Sequence, residues 1–75
     1  MKIKRIYDMR EDNDLKQRQL GEVLGISQRA YSNYETGDNE IPLDILCKLA
    51  DYYKTSVDYL LSRTDIKEPY PKGRR

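Results

Sequence analysis

Gln28, Arg29, Ser32 and Asn33 are the residues whose types and spacing suggest chemistry most directly. At about 100° per residue they share one side of a helix, with Ala30, Tyr31 and Tyr34 on the other. Glutamine and asparagine can pair bidentately with adenine, and arginine with guanine. Each such pair typically gives about 1–3 kcal/mol of discrimination between bases. Surface helices are normally polar, however, so these four residues alone do not establish base reading. What positions them decides the matter.

The surrounding stretch, QRQLGEVLGISQRAYSNY from Gln17 to Tyr34, supplies that positioning. Gly21 leaves room for one short helix to cross another. Gly25 supplies a residue that can take positive φ, which no β-branched side chain would tolerate. Ser27 is a good N-cap for the helix that follows. Two helices crossing steeply around a tight turn leave one face of the second free. The commonest use of such a face is reading the major groove of DNA.

The rest of the chain predicts an all-α, compact five-helix bundle built around this helix-turn-helix. The first helix carries Ile3, Ile6 and Met9 on one face, together with Arg10, and fades into Glu11–Asp14. The second runs from Leu15 or Lys16 to Leu24, with Asp14 as cap and Gln17 as its capping-box partner. The third ends near Gly37. Pro42 opens a fourth with Leu43, Leu46, Leu49, Ala50 and Tyr53 on its buried stripe. Ser56 and Asp58 open a short fifth, whose Val57, Leu60 and Leu61 close the core. No period-two run predicts a strand. The expected organisation is a domain over 1–64 and a mobile or loosely docked basic tail over 65–75.

Composition narrows the function classes. Seventy-five residues make one small domain, and a chain this size buries only roughly 60% of its extended surface. No apolar run approaches the roughly 20 residues that span a bilayer, and the N-terminus lacks a signal-peptide core. One cysteine, Cys47, and no histidine nearly exclude a usual zinc site and point to a reducing cytoplasm. The carboxylates form no recognisable nucleophile–base pairing, and no glycine loop cradles a phosphate, so no enzyme, cofactor or small-molecule ligand is expected. The net charge is only +1, whereas domains that grip DNA are usually distinctly basic. Distribution offsets the sum in part. Acidic residues cluster over 8–14 and 38–40, and cations recur at Lys16, Arg18, Arg29 and 72–75.

Gln17, Leu20, Gly21, Leu24, Gly25, Ile26, Ser27, Tyr31, Tyr34, Glu35 and Gly37 together resemble the phage lambda repressor/Cro-type (XRE-like) helix-turn-helix family. The later IPLDILCKLADYYKTSVDYLL is similar to that family's fourth and fifth helices, so the resemblance covers about 6–64. It implies a sequence-specific regulator of double-stranded DNA, a repressor of phage, mobile-element or bacterial origin, acting as a homodimer on a palindromic operator. Gln28, Arg29, Ser32 and Asn33 fall on its base- or backbone-facing positions. Gln17 would contact a phosphate or brace Gln28. Arg10 and Glu35 match a structural ion pair of the family. Tyr52, Tyr53 and Tyr59 lie near the face of helices four and five that such domains often use for self-association, with ordinary half-buried packing as the alternative.

Two departures stand out. The loop after Gly37 is commonly basic in the family, but here it is Asp38-Asn39-Glu40, which leaves Asn39 as its sole candidate for a phosphate. Lys16 replaces the usual hydroxyl cap and offers an ammonium near a phosphate; Arg18 is a further phosphate ligand or merely solvated. Tyr31 and Tyr34 are expected to fill the core while their hydroxyls reach the surface. Cys47 is expected to behave as a small apolar residue. The terminal cations Lys72, Arg74 and Arg75 are expected to be solvated. The acidic loop also motivates an alternative on the same fold: a protein-interaction module or antitoxin-like protein with weak or no DNA binding.

Overall fold

A computed structural model describes residues 2–69 as five helices: α1 (Lys4–Asp12), α2 (Gln17–Leu24), α3 (Gln28–Thr36), α4 (Leu43–Tyr53) and α5 (Val57–Leu60). No strand occurs among the described residues. Lys72, Arg74 and Arg75 lie outside them. Ile6, Leu20, Tyr31, Leu49 and Leu60 are fully buried, one from each helix, so every element contributes a side chain to a single core. Among the described residues no helix is long and apolar enough to cross a membrane.

The turn between α2 and α3 is set by glycine. Gly25 takes φ +72°, and the Ile26 N–H donates to the Gly21 carbonyl at 2.9 Å, closing α2 with satisfied carbonyls. A β-carbon at Gly21 would stand 2.8 Å from the Ile26 carbonyl oxygen and 3.3 Å from the Gln28 nitrogen. These are backbone atoms that cannot swing aside. Gly21→Ala is therefore expected to cost about 1–3 kcal/mol by overpacking, read as a lowered Tm by circular dichroism. The Ser27 hydroxyl accepts from the Ala30 N–H at 3.0 Å and starts α3, and Gly37, at φ +86°, ends it.

Several expectations need correction. Asp14 does not cap α2; it lies in the connecting loop at φ +55°. Lys16 is the N-cap residue, and its N–H donates to the Gln19 side-chain oxygen at 2.8 Å. The buried stripe of α4 keeps Leu46, Leu49, Ala50 and the core-packed Tyr53 of the predicted one but differs in its first turn. Leu43, in the first turn, is 68% exposed, while Ile45 is buried with Leu46, Leu49 and Ala50. Cys47 is exposed and so does not serve the core. Ser56 caps α5 as expected, accepting from the Tyr59 N–H at 3.0 Å.

The C-terminal end of the described chain is tied back by Arg5. Its guanidinium stacks 4.1 Å above the Tyr59 ring and donates to the Tyr59 and Thr64 carbonyls at 2.9 and 3.0 Å. It also pairs with Asp65 at 3.1 Å, and Thr55 donates its hydroxyl to the Lys67 carbonyl.

Candidate nucleic-acid interface

Helix α3 packs its Tyr31 and Glu35 inward and turns Gln28 and Arg29 out to solvent. Ser32 and Asn33 flank them and are partly buried. The Arg29 side chain makes no hydrogen bond or ion pair among the described residues. The four side chains therefore lie along one side of a helix anchored from behind, with the fork of Arg29 unengaged.

The anchoring centres on Glu35, a buried carboxylate. Arg10 donates to it twice, from Nε at 2.7 Å and from Nη2 at 3.2 Å, and the Arg10 Nη1 donates to the Leu15 carbonyl at 2.8 Å. The Gln17 amide donates to the same carboxylate at 3.1 Å. Burial by itself would push the Glu35 carboxyl up, but the Arg10 hydrogen bonds, the neighbouring Tyr31 and Gln17 groups and the Arg10 charge outweigh it. The group is held below the usual carboxylate range and stays ionised at neutral pH. One carboxylate thus ties α1, the start of α2 and the last turn of α3 together, fixing the angle at which α3 stands.

Beside it, the Tyr31 ring is fully buried. Its hydroxyl does not reach the surface as expected; it and the Tyr53 hydroxyl are buried with no hydrogen-bond partner of ordinary geometry among the described residues. Burial, and for Tyr31 the adjoining Glu35, push both phenols above their usual value of 10.0. The unfolded chain releases these protons near pH 10, whereas the folded one retains them. Stability is thus intact below that pH and falls as pH rises above it. Melts on either side of pH 10.0 should show this loss, and Tyr31→Phe should reduce it.

Among the phosphate candidates, Lys16, Arg18 and Asn39 are exposed, and Gln17 is partly buried with its amide on Glu35 rather than on Gln28. The Asn39 N–H donates to the Asn33 carbonyl at 3.2 Å, which holds the acidic loop against the end of α3. Of the three tyrosines on the α4–α5 side, Tyr59 lies under Arg5 and Tyr53 is packed against the core, which leaves Tyr52 as the exposed one.

The helix-turn-helix family model (HTH_3) matches residues 6–60 of this sequence, a span that holds all four outward residues and the Arg10–Glu35 pair. The chain belongs to the XRE-type helix-turn-helix family. Within it, the chain is 40% identical over its whole length to the HTH-type transcriptional regulator YobD of Bacillus subtilis, spanning 65% of that protein. It is 36% identical over 64 residues, 84% of its length, to the cryptic phage CTXphi transcriptional repressor RstR of Vibrio cholerae, spanning 57% of that protein. The chain thus covers less than two thirds of these curated relatives. Its fold is similar to the P22 c2 repressor protein solved in complex with synthetic operator 9T, with a TM-score of 0.70 and 33% identity. That likeness covers 77% of this chain and 88% of the repressor chain.

Two residues of this XRE-type domain escaped sequence reasoning. Arg5 gives no signal because its main acceptors are backbone carbonyls far along the chain. Gln19 does lie three residues after Lys16, the capping-box spacing, and that signal was available.

Proposed function

We propose that this domain is a sequence-specific double-stranded DNA-binding transcriptional regulator, a repressor of phage, mobile-element or bacterial origin, working in the cytoplasm. The observation that carries the reading is the polar side of α3, exposed at Gln28 and Arg29 while Tyr31 is buried on the other side and Glu35 ties down the last turn. The similarity to a repressor solved with its operator supports it. Gln28, Arg29, Ser32 and Asn33 select bases in the major groove. Lys16, Gln17, Arg18 and Asn39 contact phosphates and set the register.

A homodimer on a palindromic operator would present two copies of α3 to successive major grooves, about 34–36 Å apart. The exposure of Tyr52 makes it the strongest of the three tyrosine candidates for the dimer contact. The acidic Asp38 and Glu40 favour a second reading, an interaction or antitoxin-like module that has lost DNA affinity. Fluorescence anisotropy with duplex DNA across a salt series separates the two. Binding whose affinity falls steeply with salt supports the regulator, and no binding at low salt supports the interaction module. Gln17→Ala should weaken binding across all sequences alike, because phosphate contacts carry no base preference.

A further inference from the structure

The loop after α3, Asp38-Asn39-Glu40, carries no cation. Asn39 then meets a phosphate there only as a neutral group, and any cationic contact at that end of the helix comes from another element. The N-terminal segment lies there. A β-carbon at Gly37 would stand 3.1 Å from the Lys2 Cβ and 3.3 Å from the Lys2 backbone, so Lys2 packs directly on the turn that ends α3.

Lys2, Lys4 and Tyr7 line a cleft of about 330 Å³ together with Gln17, Thr36 and the Arg10–Glu35 pair, whose charges offset one another and leave the two lysines as its net positive charge. Thr36 follows Gln28 and Ser32 at four-residue spacing, so the cleft adjoins the polar side of α3. Lys2 is exposed and makes no hydrogen bond or ion pair among the described residues. The Lys4 side chain is 78% exposed and meets Asp8 at 3.1 Å. An exposed i,i+4 pair of this kind contributes little, so Lys4 can exchange Asp8 for a phosphate at small cost.

We propose that Lys2 and Lys4 form a phosphate anchor for the DNA backbone, replacing the basic loop that this chain lacks after α3. The inference rests on the DNA-binding reading above. It places the added cations on the cleft that Gln17 also lines.

The test is anisotropy on the duplex selected by the wild-type chain, over a range of salt. It compares wild type, Lys2→Gln/Lys4→Gln, Lys2→Arg/Lys4→Arg and Lys48→Gln; Lys48 is exposed on α4 and does not line the cleft. The double glutamine variant is expected to lose about one to two units of the slope of log affinity against log salt, with base preference unchanged. The arginine and Lys48 variants should keep the wild-type slope. If wild type binds its duplex and the glutamine variant matches it in slope and affinity, the anchor is overturned while the DNA reading stands. If wild type binds no duplex even at low salt, both fall. Circular dichroism melts confirm that each variant is folded.

Discussion

Replacing Glu35 by alanine is expected to lower the unfolding free energy by about 3–5 kcal/mol, because it leaves the buried Arg10 guanidinium with the half-exposed Glu11 carboxylate, 3.2 Å away, as its one remaining charged partner among the described residues. The two side chains are only 10% and 5% exposed, so water replaces the lost partner poorly. In a domain of this size the loss corresponds to a fall in Tm of about 12 °C or more. The paired change Arg10→Met/Glu35→Leu should recover most of it, since removing both charges leaves none uncompensated. A double-mutant cycle by thermal or urea unfolding measures the coupling directly. An additive cycle would show that the pair does not hold the helices together.

The same carboxylate gives the acid limb of stability its sign. The folded value of Glu35 lies below its ordinary 4.5, so its contribution is fully present above that pH. It is lost as pH falls through the folded value. The Arg10→Met/Glu35→Leu variant should lack this part of the acid destabilisation.

Arg29→Ala is the second large effect, this time on recognition. Arg29 is exposed on the same side of α3 as Gln28 and has no competing partner among the described residues. Its truncation is expected to cost about 1–3 kcal/mol on the selected operator and to relax the preference at one position per half-site. Stability should hardly change, because the side chain supports nothing in the core. Competition anisotropy against single-base variants of the operator reads both outcomes. An unchanged base preference would move the specificity elsewhere.

What the sequence disclosed depends on how local the physics is. Gly21, Gly25 and Gly37 mark a crossing and two helix ends through backbone sterics alone, and the structure uses each in that way. Arg10 was conspicuous as a cation on an apolar helix face, and the carboxylate beside it belongs to the residue that the family resemblance singled out. The stripe of α4 was harder to place. Periodicity fixes which residues share a face, but not how far the first turn projects beyond its neighbours. Leu43 therefore ends in solvent, while Ile45 is buried and Ile41 packs against the core. The depth of Tyr31 was hidden for a similar reason, since spacing gives direction and not distance to the surface. Arg5 was beyond reach because carbonyl acceptors leave no mark on the sequence. Within the candidate interface, residue types and their common side were legible. The engagement of Gln17 with Glu35 was not.

The most direct measurement is selection of bound duplexes from a random pool by the wild-type protein, followed by sequencing. An α3 that reads bases from the major groove, presented twice by a dimer, should enrich a two-fold symmetric sequence. Its half-sites should lie about 10–10.5 base pairs apart, centre to centre. A bound pool with no sequence preference over the input would contradict the account.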